Sequence, residues 1–215
     1  LNPDNQIIPE RPYLEVNEQL VNPELEFRGA CIFPVTREDI PQLRKIFDWF
    51  AKNRMNLLMS SASRTRKREG GWVVEWLEVA DELYPELEKR GIDLCLSEHQ
   101  GRYFFPTRLF AEHPEWFALG KDGKRSAKGQ NCYSNLEGVA YLAEQYARFA
   151  AEHPEIRILG TWPEDGYGFC QCPQCQVPGQ VLKAVNIIAE EVEKVRPDLM
   201  VEYLSYTEQT SQVPP

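Results

Sequence analysis

No apolar run in the sequence approaches the roughly 20 residues of a membrane-spanning helix, so no helical span is expected. Cysteine is scarce: six thiols in 215 residues are too few for a disulfide scaffold. Positive charge is in the minority, with 24 Lys and Arg against 33 Asp and Glu. The resulting net charge of −9 argues against nucleic acid or anionic lipid as a partner. No GxGxxG or P-loop run follows the first apolar stretch, which weakens a nucleotide-binding reading. The length also falls short of the roughly 250 residues of a complete (βα)8 barrel. What is present suits a globular domain: 42% hydrophobic residues, and aromatics at 11%, too many for a disordered chain. The chain opens at Leu1 without a basic-then-apolar leader, so no signal peptide is expected within it.

Residues 1–26, rich in Pro and Asn and without a sustained period, read as an N-terminal arm or linker. From residue 27 to 215, apolar runs alternate with amphipathic helical patterns, and this stretch is expected to be one domain. Strands are expected at Phe27–Phe33, Asn56–Ser61, Ile92–Leu96, Ile156–Thr161 and Met200–Ser205. Between the first two, Thr36 and Asp39 form a capping-box pattern ahead of a helix that puts Ile40, Leu43, Ile46, Phe47 and Phe50 on one face. The spacing from Val73 to Leu87 predicts a single helix stopped by Gly91 after Lys89 and Arg90. Ser134 and Glu137 predict a second capping box, for a helix ending near His153, and Val181 to Val195 give the last helix. Such alternation implies an α/β fold with a mainly parallel sheet. A doubly wound open sheet and an incomplete TIM-type (βα) barrel of about five strands fit almost equally well, though long loops after strands three and four suit a barrel.

In either fold the side chains just after each strand converge on one rim. They are Ser60, Ser61 and Arg64; Glu98 and His99; Trp162, Glu164 and Asp165; and Tyr206 and Glu208. Carboxylates beside Trp and Tyr on such a rim point to carbohydrate, because aromatic faces stack on sugar rings and paired carboxyl groups cleave glycosides. The plain alternative is surface acids in an acidic chain. Glu164 and Asp165 sit in a Pro-and-Gly turn, and neighbouring residues at a strand end point apart, so one at most faces the site; Asp165 is favoured. His99 is either a sugar, proton-transfer or metal residue, or simply hydrogen-bonded within its loop. His153 reads as a helix C-terminal residue. Trp162, Tyr167 and Trp116 are candidate sugar platforms, with Trp116 equally able to anchor the long loop. Arg64, Arg66, Lys67 and Arg68 form a solvated loop or a contact for a uronic-acid carboxylate.

Cys170, Cys172 and Cys175 stand within six residues, too close for core packing, and suit tetrahedral zinc with Cys132 as a fourth ligand. Disulfides in an exported protein compete with that reading. An all-thiolate set leaves no open position, so such a zinc would be structural. Cys31 and Cys95 lie in apolar strands and are expected to be buried.

Several motifs occur in one order: His113-Pro-Glu-Trp-Phe-Ala-Leu, Gly123-Lys-Arg125, Gln130-Asn-Cys132-Tyr-Ser134-Asn135, Trp162-Pro-Glu-Asp165-Gly, and Phe169-Cys-Gln-Cys-Pro-Gln-Cys175. With Arg28-Gly29, Met55-Asn56 and Tyr206 to Pro215, the chain from Phe27 onward resembles a bacterial family of glycoside-hydrolase-like barrels, the domain of unknown function 4838 family, distantly similar to the α-glucuronidases. The resemblance implies a (βα)8 barrel within a larger extracellular or periplasmic protein acting on glycans. It carries over His99, Asp165 and the three clustered cysteines. Glu98 and Glu164 depart from it, since that family has Gly before the His and Asn before the Asp, which leaves open which carboxylate is the acid. The family pattern continues past Pro215, so further strands and domains are expected downstream. The expected function is glycoside hydrolysis on bacterial or plant glycans; the alternatives are a non-catalytic carbohydrate-binding barrel and a metal-dependent barrel enzyme.

Overall fold

Residues 23–32, 36–60, 71–97, 99, 101–166 and 168–214 are described by a computed structural model. Most of the expected arm, Ser61, Glu98, Tyr167 and the basic loop of Arg64, Arg66, Lys67 and Arg68 lie outside the described residues. The elements in chain order are β1 (Gly29–Ile32), α1 (Ile40–Lys52), β2 (Leu57–Ser60), α2 (Gly71–Leu77), α3 (Ala80–Glu88), β3 (Asp93–Leu96) and α4 (Gly101–Phe104), then α5 (Leu136–Glu152), β4 (Ile156–Gly160), α6 (Gln180–Val195) and β5 (Met200–Glu202).

Local chemistry sets most boundaries. The Thr36–Asp39 capping box forms, with Asp39 Oδ2 accepting from the Thr36 amide at 3.0 Å and hydroxyl at 2.7 Å. Gly91 takes φ of +64° and ends the turn after α3, a conformation glycine adopts without a steric cost. Just before it, Arg90 has a fully buried side chain that donates to Asp48 of α1 and Glu86 of α3, both at 2.8 Å. Three expectations need correction. The single helix over Val73–Leu87 is two, because the chain turns at Val79 (φ −126°), which buries that side chain beside Trp76 in the core. The cap of α5 is Asn135, whose side chain accepts from the Gly138 amide at 2.8 Å. Ser134 does not cap it because its hydroxyl lies among the cysteine sulfurs, 3.1 Å from Cys175 and 3.3 Å from Cys172. The fifth strand ends at Glu202 rather than Ser205.

The five strands form one sheet in the order β1-β2-β3-β4-β5, and all four pairings are parallel. This order separates the two candidate architectures. Right-handed crossovers that always step the same way lay every helix on one face, whereas a doubly wound sheet reverses direction and covers both. The fold is therefore α/β and partial TIM-barrel-type. Its core lies between the helices and the outer sheet face, where Leu58, Leu94, Leu96 and Leu159 meet Phe47 and Phe50 of α1, Trp76 of α2, Leu83 of α3, Phe149 of α5 and Ile188 of α6. The opposite face carries the row Cys31, Met59, Cys95, Ile158 and Met200 in register. Cys95 in that row is buried as expected. Cys31 is exposed instead, because among the described residues β1 is the sheet edge and no helix covers this face. No helix among the described residues is long and apolar enough to cross a membrane.

Candidate functional site at the strand ends

Three strand ends bring four of the expected side chains together. His99, three residues past β3, donates from Nδ1 to the Pro163 carbonyl beyond β4. That contact fixes the proton on Nδ1 and turns Nε2 toward Asp165, whose Oδ1 is 3.7 Å away. The His99 ring stands edge-on to Trp162, with centroids 5.4 Å apart, and lies 6.0 Å from the Tyr206 ring beyond β5. The Tyr206 hydroxyl donates to Asp165 Oδ1 at 3.4 Å. The two adjacent acids do point apart. The Glu164 carbonyl accepts from Gln130 Nε2, and its carboxylate faces Arg102 at 3.9 Å. The Asp165 side chain is 66% exposed at the rim. Trp162 is half-buried, and its Nε1 is enclosed without a hydrogen-bond partner among the described residues. An enclosed indole N–H without an acceptor is uncommon enough to need a reason.

Below this rim lies a carboxylate that the sequence reading missed. Glu202, on the uncovered sheet face, accepts from the hydroxyl of the fully buried Ser97, and Cys95 Sγ is 3.9 Å from the same oxygen. Gly160 stands between Ser97 and Glu202 in the sheet, and a Cβ there would meet Ser97 Cα at 2.8 Å. The missing side chain lets Glu202 reach across β4. Burial pushes the Cys95 thiol up to about 12. An acid inside an apolar strand pattern is the one sequence signal for it. Gln130 was also missed, although it is fully buried and joins Glu164 to the Tyr133 hydroxyl at 3.3 Å.

The remaining candidates separate. Trp116 is 8% exposed and stacks on His113 at 3.9 Å, so it anchors its loop and offers no face to a sugar. His153 is the C-terminal residue of α5, its amide bonded to the Phe149 carbonyl. Glu208 is exposed and lines a cavity beside the rim.

Cys132, Cys170, Cys172 and Cys175 bring their sulfurs within 4.8 Å of one another. Cys132 lies 3.8 Å from Cys172, 3.8 Å from Cys175 and 3.6 Å from Cys170. These spacings are far beyond the roughly 2.05 Å of a disulfide, and all four cysteines are free. The Cys132 thiol is pushed down by the hydrogen bonds it receives from Cys170 and Cys175. The cluster is therefore a buried four-sulfur set able to hold a metal ion. It ties the loop after β3 to the loop after β4, with Leu119 N donating to Cys170 Sγ at 3.2 Å and Gln171 N to the Leu119 carbonyl at 2.8 Å.

Sequential parallel strands with this rim place the chain among glycoside-hydrolase-like barrels in fold. A β-galactosidase from Bacillus circulans sp. alkalophilus is similar with a TM-score of 0.55 at 13% identity, over 82% of this chain and 36% of that one. A family 36 α-galactosidase from Geobacillus stearothermophilus gives a TM-score of 0.56 at 16% identity, over 87% and 29% of the two chains. An α-galactosidase from Lactobacillus brevis gives 0.52 at 14%, over 83% and 27%. The chain thus spans about a third of the length of the solved structures it matches. Among curated proteins none matches it in sequence. The chain belongs to the family described as a domain of unknown function (DUF4838), which matches residues 1–215.

Proposed function

We propose that the chain is part of a glycoside hydrolase barrel acting on bacterial or plant glycans, with Asp165 as general acid. The observation that carries this reading is the divergence of the two acids after β4. Asp165 reaches the open rim between His99 and Tyr206, while Glu164 is turned back toward Arg102. In this role the Asp165 carboxyl gives its proton to the departing glycosidic oxygen as positive charge develops on the sugar ring. Tyr206 holds its carboxyl group, His99 stands beside it, and Trp162 offers a ring for a sugar to stack on. Glu202 on the floor, Glu98 or Glu208 is the second carboxylate. Tyr167 adds a second platform, and Arg64 meets the carboxylate of a uronic acid, in keeping with the α-glucuronidase likeness. Turnover of an aryl glycoside and aryl glucuronide panel tests this. Asp165→Asn should lose about 10²- to 10⁴-fold in kcat, with Glu164→Gln much closer to wild type. Full activity in Asp165→Asn removes the assignment.

The four cysteines are proposed to hold one structural zinc. Zinc–sulfur bonds of about 2.3 Å in a tetrahedron put sulfurs about 3.8 Å apart, and the three distances from Cys132, 3.6–3.8 Å, support that size, with all four sulfurs within 4.8 Å. Four thiolates would complete the coordination, so the ion would organise the loops and take no part in turnover. Elemental analysis should find one zinc per chain, kept in His99→Ala and lost in Cys172→Ser.

A further inference from the structure

Beside the rim lies a second feature, a cavity of about 100 Å³ between the cysteine loop, the start of α6 and the segment after β5. Its lining is unusual in kind. Gln171, Gln176, Gln180, Gln209 and Gln212 all face it, from two stretches of chain brought together by the fold. Three of these amides are already fixed by their nitrogen: Gln171 donates to the Phe169 carbonyl at 2.8 Å, Gln176 to the Cys170 carbonyl at 2.8 Å, and Gln180 to the Tyr133 carbonyl at 3.3 Å. Among the described residues no donor reaches the oxygens of these three amides. The cavity therefore holds a set of oriented acceptors, and Gln209 and Gln212 add both donors and acceptors. Phe169 contributes an apolar patch to the same wall. A hydroxyl-rich ring fits this chemistry: its O–H groups donate to the amide oxygens. Among the described residues no cation lines the cavity, and Glu208 does, so a carboxylated sugar is disfavoured. The cavity also abuts the rim. Glu208 is two residues from Tyr206, which holds Asp165, and the chain's reach keeps those two backbones within about 7 Å.

We propose that this glutamine-lined cavity is a binding subsite for a neutral sugar unit, next to the Asp165 rim. The proposal rests on the reading of that rim as a carbohydrate site, and deepens it: the substrate carries a neutral residue on this side, whatever sugar Asp165 faces. Cellotriose, mannotriose and xylotriose, each titrated alone into the full chain by calorimetry, test it. At least one should bind with a Kd below about 10 mM. Gln209→Ala/Gln212→Ala should weaken that binding about tenfold, the loss of one or two hydrogen bonds. Asp165→Asn should leave the Kd within about twofold, since its carboxyl lies outside the cavity. Gln209→Glu, which keeps the size and adds a negative charge beside Glu208, serves if the double variant misfolds, and should bind neutral sugar but reject galacturonic acid oligomers further. Failure of all three trisaccharides to bind, unchanged affinity in the folded double variant, or unchanged discrimination against galacturonic acid oligomers in Gln209→Glu overturns the subsite. Loss of aryl-glycoside turnover in Asp165→Asn alongside either result would leave the rim reading standing by itself.

Discussion

Gly160 shows how much one absent side chain can decide. Adding a methyl group there forces Ser97 away at 2.8 Å and closes the gap through which Glu202 reaches it. Gly160→Ala should cost about 1–3 kcal/mol, the usual penalty of overpacking, seen as a lower urea midpoint with an unchanged slope. Cys95 in the same group makes a pH prediction. Its thiol is pushed up to about 12 by burial, against an ordinary value of 9.0. The folded chain then keeps a proton that the unfolded chain gives up between those values. That contribution to stability is intact below pH 9 and is lost as pH rises toward 12. Urea midpoints across that range should fall less steeply in Cys95→Ala than in wild type. At this scale, residues just beyond strands were readable because strand ends are readable. Glu202 and Gln130 were not, since their partners lie 105 and 34 residues away; an acid within an apolar strand marks Glu202 as unusual without saying what it meets.

Among elements, the pair of α1 and α3 depends on Arg90. In sequence this residue looks like an ordinary cation closing a helix, a stop signal and nothing more. In the fold its buried guanidinium neutralises Asp48 and Glu86, whose side chains are 15% and 13% exposed. Arg90→Ala takes the buried counter-ion from Asp48, while Glu86 keeps Lys89 at 2.7 Å and Arg44 at 3.5 Å, and should destabilise by about 3 kcal/mol, measurable by chemical denaturation. The capping box located α1 and helix period located α5 and α6, but not the break between α2 and α3. The apolar period runs through Val79 unbroken, and only the packing of that residue beside Trp76 reveals the turn. The cysteine loop makes a separate prediction. Its sulfurs form their own small cluster apart from the main core. Chelation by a strong zinc ligand, or Cys172→Ser, should expose residues 161–179 to protease while the far-ultraviolet circular dichroism of the helices persists.

For the molecule as a whole, alternation of strand and helix was legible, and strand neighbours were not. Hydrophobic period states which face of a strand is buried, never which strand lies beside it. The ladder β1-β2-β3-β4-β5 settles that, and with it the choice between open sheet and barrel. The same ladder leaves one face with Met59, Ile158 and Met200 half-buried, bounded by β1 and β5 at its edges. A partly apolar face that no strand extends past β1 or β5 among the described residues invites association. The 215-residue chain should bind a hydrophobic dye and show a mass by light scattering that rises with concentration. A constant monomer mass without dye binding would mean the face is already satisfied.

The sulfur knot has a consequence for how such a barrel can change over time. Cys132 fastens the end of the loop after β3 to the loop that carries Asp165, so residues 105–129 form a bracketed insert whose exit is fixed. Lengthening or replacing the exposed tip of that insert, residues 121–124, need not re-aim the acid, because Leu119 and Cys132 hold the two loops in step on either side of it. The knot therefore works as a mounting plate, on which one stretch of rim can be exchanged and the ligand preference retuned while the acid stays where it is.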